Sequence, residues 1–561
     1  MKLLPIGVTD FATLRQQDYL YVDKTKYIYE LLKEKKLCFL FRPRRFGKSL
    51  LLSTLKAVLQ GRRELFDGLW INDSDYNWTP YPVIHFSMSD IDSDTVKGIE
   101  DGLINKIKSV AATEKLTVRN SKAPVQVFKS LLERLYRKYD RKVAVLIDEY
   151  DSPVFEHIME PAFAAEIHKR LMNFYNVLKS EDDLRGFSLI TGINKYAQTS
   201  VLTTLGDLND LTFKKKYVNI CGFTKEEFDA ISPDYLGKIL VNLKTYDTLE
   251  PTDTFSDLRK LIFNLYDGYS WDGITTVLNP WDILNVFDCM ELSDFWTQSG
   301  HLPEFFSQFV KEKKISFNRS DDFETITENL NKIDFESKLK LTPFLFQMGY
   351  LTVKNVVKTS QGLSYLLDFP NAFVRKDIIP LIFSLKTIEF PIMVLRQSVN
   401  MLNSLVNLDV EGFQTSFEKF LSNFSYRKQE PHVVHDANYQ VLFQIAMLLA
   451  GARADSFISK GNDADEDKFN FHYLADDGSH FVILVKHCPH KSKKGKKYLS
   501  NELKIRMEER ARAAIDQIEK KKFTQPYRKF RNPIYKVAIV IGGRSKVLFV
   551  LKKEEQRKFF F

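Results

Sequence analysis

Lys36–Leu55, KLCFLFRPRRFGKSLLLSTL, decides how the rest of the chain is read. An apolar run from Leu37 to Phe41 gives way to a basic segment, then to Gly47-Lys48-Ser49, then to leucines at 50, 51 and 55 spaced for a helix that packs on a sheet. The order is strand, loop, helix. A loop that opens a helix N-terminus aims backbone N–H groups and the positive end of the helix dipole at phosphates. In such a loop Lys48 reaches the β- and γ-phosphates and the Ser49 hydroxyl holds Mg²⁺; Arg45, Phe46, Gly47 and Leu50 complete the candidate nucleotide contacts. The usual pattern begins with a further glycine where this chain has Arg42, so the loop must start with different backbone geometry.

A Gly-Lys-Ser tripeptide alone also fits an ordinary helix start, and a second stretch is needed. Val143–Glu149, VAVLIDE, reads as a buried parallel strand that delivers Asp148 to the water shell of Mg²⁺ and Glu149 to the attacking water. Alone it also reads as a core strand ending in a solvated acidic turn; combined with Lys48 and Ser49 about a hundred residues upstream, it predicts an NTPase site. Gly186–Ile193, GFSLITGI, is another buried strand, and Thr191 or Asn194 at its end is a candidate sensor of the γ-phosphate; ordinary turn chemistry is the alternative. Arg44, Arg45 and Arg185 are candidate fingers for transition-state charge. A finger supplied by a second copy would make the protein a homo-oligomer.

Four stretches together resemble the AAA-ATPase-like family: Leu4-Pro5-Ile6-Gly7, Tyr21-Val22-Asp23-Lys24-Thr25, Arg42-Pro43-Arg44-Arg45-Phe46-Gly47-Lys48-Ser49-Leu50, and Asp148-Glu149-Tyr150-Asp151. Members of that family also lack the first glycine, and they commonly join an N-terminal P-loop ATPase to a C-terminal domain of the PD-(D/E)xK nuclease superfamily. The resemblance implies ATP and Mg²⁺ as cofactors and an α/β fold: a P-loop NTPase with a parallel sheet and helical lid, a small α+β module, and an α/β nuclease-like domain. The corresponding boundaries are 1–219 for the ATPase core, 220–310 for the lid, 311–384 for the linker and connecting module, and 385–561 for the nuclease-like domain.

In the last of these the resemblance places Asp467 on one strand and Lys486 on the next, with Gln517 on a later helix, as a nuclease-like remnant. Two carboxylates and a lysine are needed to hold Mg²⁺ and orient water. The glutamate position is occupied by Leu484, which cannot coordinate a metal. The domain is therefore expected to be degenerate, with a relocated carboxylate from Asp463, Asp465, Glu466, Glu430 or Asp436 as the route to an active nuclease.

At 561 residues, 44% hydrophobic and 13% aromatic, the chain has enough apolar material for several globular cores. The net charge of +9 is not spread evenly. Lys486 to Lys536 holds 17 Lys and Arg against 5 Asp and Glu, so the rest of the chain is net acidic. This basic third, with Tyr527, Phe530 and Tyr535 interleaved, suits salt-dependent contact with nucleic-acid phosphates; a solvated basic surface or an anionic membrane are the alternatives. Four cysteines without a C-x-x-C pair indicate neither a disulfide framework nor a zinc site. No signal peptide or membrane-spanning run is evident, which predicts a soluble cytoplasmic protein, with export as an effector left open.

Three local expectations complete the reading. Asp23 is an N-cap candidate for a helix over 24–33, with nucleotide contact as the other role suggested by the family. Thr224 and Glu227 form a capping box at the start of the lid, whose aromatics read as core. Leu345–Val353 and Tyr365–Phe373 read as strands around turns. The function expected is ATP binding and hydrolysis coupled to a basic domain that contacts nucleic acid. The alternatives are a nucleotide-gated switch with negligible hydrolysis and an active Mg²⁺-dependent nuclease.

Overall fold

The computed structural model describes residues 2–34, 37–195, 208–246, 254–296, 324–326, 330, 341–359, 362–375, 392–422, parts of 439–458, 469–475, 477–489, 500–530, 532–543 and 545–554. They form two compact units, Met1–Val374 and Arg375–Phe561.

The first unit is built on a five-stranded sheet. Its strands are β1 (Leu37–Phe41), β2 (Val83–Ser87), β3 (Val143–Asp148), β4 (Arg185–Gly192) and β5 (Asn209–Asp210), in the order β2-β3-β4-β1-β5. Every described pairing in it is parallel. α1 (Phe11–Gln16) and α2 (Thr25–Glu34) precede β1; parallel strands need crossover connections, and the helices that supply them are α3 (Lys48–Leu59) between β1 and β2, α4 (Val96–Thr113) and α5 (Pro124–Tyr139) between β2 and β3, and α6 (Pro161–Tyr175) between β3 and β4. β1 and β3 are buried at every position, as a strand covered on both faces must be. Buried Leu51, Leu52, Leu55 and Val58 give α3 its apolar stripe. Asp10 and Thr95 cap α1 and α4 by accepting from Thr13 N and Gly98 N, and Pro124 opens α5. Helix α2 starts one residue later than the sequence predicts. Asp23, expected as its N-cap, stands two residues before it and accepts from Thr25 N, the first N–H of the helix, at 2.8 Å and from Trp70 N at 2.7 Å.

A helical cap follows, with α7 (Lys225–Ile231), α8 (Pro233–Tyr246), α9 (Phe255–Tyr266) and α10 (Pro280–Cys289). The Thr224–Glu227 capping box is present at the start of α7. Phe228, Ile239, Leu258, Ile262 and Phe287 centre a core of its own, against which Leu4, Ile6, Leu20 and Val22 of the N-terminal segment pack. That segment therefore belongs structurally to the lid as much as to the sheet.

One local expectation fails here. Leu345–Met348, the first part of the strand expected over Leu345–Val353, is instead the end of a helix, α11 (Leu341–Met348). Leu341, Phe344, Leu345 and Met348 keep the i, i+3, i+4, i+7 spacing of a helix, but the strand expected from Leu345 opens inside it, where buried Leu345, Phe346 and Met348 run on into the equally buried start of the next strand. Gly349, at φ +89°, ends the helix. Strands β7 (Thr352–Thr359) and β8 (Gly362–Asp368) then pair antiparallel, with β6 (Glu324–Ile326) on the far side of β8.

The second unit carries α12 (Ile392–Val406), α13 (Val410–Ser422), α14 (Ser500–Lys520) and a five-stranded sheet: β9 (Ala454–Ile458), β10 (Phe469–Leu474), β11 (His480–Cys488), β12 (Ile534–Gly542) and β13 (Lys546–Lys553), in the order β13-β12-β11-β10-β9. Among the described pairings of this sheet only β11 with β12 is parallel. Leu503, Met507, Ala511 and Ile518 of α14 pack on Val482, Leu484, Ala538 and Val540. Phe413 of α13 stacks on Phe549 at 4.2 Å, and Gln414 and Glu418 accept hydrogen bonds from β13 backbone N–H groups.

Candidate functional site

The carboxyl ends of β1, β3 and β4 lie side by side, with Leu40 opposite Thr191 and Phe41 opposite Gly192. The loop that leaves β1 turns through Arg45 at φ +68° and Gly47 at φ +86°, both left-handed, and enters α3 at Lys48. A Cβ on Gly47 would meet nothing within 4 Å, so its backbone angle rather than crowding calls for glycine there. Lys48 Nζ is buried and donates to the carbonyls of Arg42 and Pro43, each at 2.9 Å. Burial lowers its pKa, opposed chiefly by the charge of Asp148 and then by Cys221, Asp151 and Glu149. The ammonium thus stands among the carboxylates that the sequence assigned to the site.

Arg42 explains how the loop manages without its first glycine. The side chain is wholly buried; its guanidinium donates to the carbonyls of Phe41, Thr212 and Tyr217 at 2.9, 3.2 and 3.3 Å and lies 3.8 Å from the Trp271 ring centre. Burial brings its pKa down to about 10. Phe46, equally buried, sits edge-on to Tyr269 and Trp271. Trp296 Nε1 donates to the Arg44 carbonyl at 3.2 Å, and Gly349 lies so close to Pro43 that a Cβ would come within 2.7 Å of it. The loop is therefore held from outside, by the lid and by the turn after α11, as well as by its own hydrogen bonds.

At the end of β3, Asp148 Oδ1 accepts from the Thr191 hydroxyl at 2.6 Å and from Glu149 N at 3.0 Å. Oδ2 makes no described hydrogen bond. Glu149 follows in a left-handed turn, φ +50°, and is half-buried. Asp151 is buried and accepts three contacts from the backbone N–H groups of Ile193 and Asn194, which straps β3 to the end of β4. Desolvation pushes its pKa up to about 6, against the pull of those N–H groups and of Lys48. Gly192 makes room for the strap: a Cβ there would stand 2.4 Å from Asp151 Oδ1. The side-chain amide of Asn194 is fully buried and has no hydrogen-bond partner among the described residues.

A cavity of about 470 Å³ opens beside the loop. Arg44 to Leu51 and Glu149 form one wall; Pro5, Gly7, Val8 and Thr9 with Leu20, Tyr21 and Val22 form an apolar second, and Cys221, Gly222, Trp281 and Leu284 of the lid close the third. Lys24 also reaches it, tied by Glu227 at 2.6 and 2.7 Å and by the Asn219 carbonyl at 2.9 Å. A volume of this size suits a nucleotide.

The sequence-derived residues Arg45, Phe46, Gly47, Lys48, Ser49, Leu50 and Glu149 thus share one cavity, with Asp148 bonded to Thr191 close by. Arg185 does not belong to this group. It begins β4, at the opposite end of the sheet, where it pairs with Asp182 and donates to the Leu178 carbonyl, so it is no finger for the site of its own chain. The apolar wall from the N-terminal segment and the aromatic wall from the lid were not legible as site residues. Asn279-Pro280, a cap followed by a first-turn proline, was the available sign that Trp281 opens a helix at the cavity edge.

In the second unit, Asp467, the alternative carboxylates and the lysines from 491 to 497 lie outside the described residues. Leu484 is core, packed among α14 side chains. Lys486 is buried two residues further along β11, and Gln517 is half-buried on α14. Among the described residues no group of three His, Cys, Asp or Glu side chains is arranged to hold a metal ion, and no helix is long and apolar enough to cross a membrane.

A parallel sheet, helices between its strands and a lysine-bearing loop at its carboxyl edge define a P-loop NTPase-like fold. The N-terminal region, residues 5–202, matches the family described as predicted AAA-ATPase. An uncharacterised protein encoded in the vnfD 5′ region of Azotobacter chroococcum mcd 1 is 28% identical over 483 residues, 84% of this chain and 88% of that protein. Two solved structures from Aeropyrum pernix align more distantly. The ORC1 protein in complex with DNA is 12% identical, over 65% of this chain and 93% of that one, with a TM-score of 0.27. The ORC2 protein in ADPNP–ADP complexes is 9% identical, over 77% and 85%, with a TM-score of 0.26. At those scores neither alignment bears on how this chain works.

Proposed function

We propose that the first unit binds ATP in the cavity beside the Arg42–Ser49 loop and hydrolyses it. The observation that carries this is the meeting of Gly47-Lys48-Ser49, at the N-terminus of α3, with Asp148-Glu149 at the end of a strand of the same parallel sheet. Lys48 leaves the Arg42 and Pro43 carbonyls to bind the β- and γ-phosphates, and the first-turn N–H groups of α3 hold the phosphates beside it. Ser49 and the unbonded Asp148 Oδ2 fit a magnesium ion that keeps most of its waters. Such an ion, when bound, offsets charge on the phosphates. Thr191 and the Glu149 N–H fix the Asp148 carboxylate by occupying its other oxygen. Glu149 takes the proton of the attacking water, and the Asn194 amide, without a hydrogen-bond partner among the described residues, is the better candidate to orient that water, since Thr191 is committed to Asp148.

The basic second unit is the part expected to contact nucleic acid, on the strength of its charge. With a core leucine at position 484, cutting is not expected of it.

Phosphate release with Mg²⁺-ATP, in wild type and Glu149→Gln, with and without single- and double-stranded DNA or RNA, tests both parts. Turnover that Glu149→Gln abolishes while bound ATP persists is the expected result. A wild type that binds ATP without turning it over would make the protein a nucleotide-gated switch. Mg²⁺-dependent cutting of the nucleic acid that Lys486→Ala abolishes would restore the nuclease.

A further inference from the structure

Among the cations that line the cavity, Lys24 is held by Glu227 and Lys48 by two loop carbonyls. The guanidinium groups of Arg44 and Arg45 make no hydrogen bond or ion pair among the described residues. Arg44 faces the Phe155 ring at 5.3 Å. Arg45 is exposed and lies 4.2 Å from the ring centre of Trp281, which belongs to the lid. That indole is itself fixed, with its backbone N–H on Asn279 Oδ1 at 2.8 Å and Nε1 donating to the Phe295 carbonyl at 3.3 Å. Arg45 also occupies a left-handed backbone position that glycine would adopt at no steric cost. A strained residue whose charge meets no carboxylate among the described residues, parked on an aromatic face at the mouth of a phosphate site, has the features of a functional group at rest.

We propose that Arg45, parked on Trp281, is the group that distinguishes a nucleoside triphosphate from a diphosphate in this cavity and ties the lid to that distinction. The proposal rests on the nucleotide reading above. A guanidinium fork matches the oxygens of a phosphoryl group, and a contact to the terminal phosphoryl is gained only with the triphosphate. Because the resting partner is on α10 and the alternative partner is on the ligand, the exchange changes what the lid holds. Trp281 is thus a positioning residue and Arg45 a specificity-determining one.

The test is the ratio of ADP to ATPγS dissociation constants, measured by titration calorimetry with Mg²⁺ for the full chain and for Arg45→Gly, Trp281→Phe and Trp281→Leu. Arg45→Gly suits its backbone angle, so it is expected to melt near wild type while its ratio falls about tenfold, the usual cost of one hydrogen bond to a charged group. Trp281→Phe, which keeps an aromatic face, is expected to keep most of the preference; Trp281→Leu is expected to lower it about threefold. An Arg45→Gly ratio equal to wild type, or an equal loss for both nucleotides, overturns the discrimination. A Trp281→Leu ratio equal to wild type overturns the tie to the lid. A wild type that binds neither nucleotide refutes the underlying nucleotide reading, a result distinct from either.

Discussion

Restoring the missing glycine should harm this protein. In Arg42→Gly the loop regains the usual phosphate-loop residue but loses what Arg42 holds together. Three hydrogen bonds from a charged donor to backbone carbonyls go, at about 1.5 kcal/mol each. So does a desolvated guanidinium–indole contact, about 2 kcal/mol, and three buried methylenes at about 0.8 kcal/mol each. Against this loss of about 9 kcal/mol stands relief from burying a cation without a carboxylate partner, roughly 5 kcal/mol. The net destabilisation is about 4 kcal/mol, and in a unit this long each kcal/mol moves the melting point by about 1–2 °C, so Tm should fall by about 5 °C. The assay is selective, because all five tryptophans, at 70, 78, 271, 281 and 296, lie in the first unit, and thermal unfolding followed by their fluorescence reports that unit alone. An Arg42→Gly protein with unchanged or raised Tm would refute the reasoning and make Arg42 a dispensable replacement.

Gly192→Ala forces a Cβ against the buried Asp151 and Tyr150 side chains and should cost about 2–3 kcal/mol, read as a lower urea midpoint of tryptophan fluorescence. Asp151 has a folded pKa of about 6, above its unfolded value near 3.8, so its contribution to stability is complete below about pH 4 and is lost as pH rises to 6. The loss is about 2–3 kcal/mol, and urea unfolding of wild type and Asp151→Asn across that range should show it in wild type alone. Lys24→Met and Glu227→Gln each break a largely buried ion pair that joins the N-terminal segment to the lid. Single changes should cost about 2 kcal/mol and the double change less than their sum, a coupling that a double-mutant cycle measures directly.

Much of the first unit's sheet was legible because its strands are short uninterrupted apolar runs with carboxylates or turn residues at their ends. Asp148 and Glu149 could be placed together at a strand end because five apolar residues lead into two acids, and the strand does end at Asp148. Arg42 was legible only as an irregularity. Its partners Thr212, Tyr217 and Trp271 are contributed by segments some 170 to 230 residues away, and no local pattern encodes that. The same is true of the cavity's apolar wall, since Val8 and Leu20 carry no chemistry of their own and acquire a role only by packing beside the lid. Leu345–Val353 misled because that window opens in the last turn of one helix and closes in the next strand, so its apolar residues read as a single run although Leu341, Phe344, Leu345 and Met348 keep helical spacing. Arg185 misled for another reason: chain order does not say which end of a strand faces the site, and a residue seven positions before Gly192 stands about 23 Å from it along an extended strand.

Phosphate release from Mg²⁺-ATP by the wild type and by Lys48→Ala tests the central claim most directly. Lys48 is the one residue whose ammonium sits within the loop itself and under the influence of all three site carboxylates, Asp148, Glu149 and Asp151. Turnover in the wild type that vanishes in a folded Lys48→Ala protein is the predicted result. Equal turnover in both would contradict the account, because it would move the chemistry to some other part of the chain.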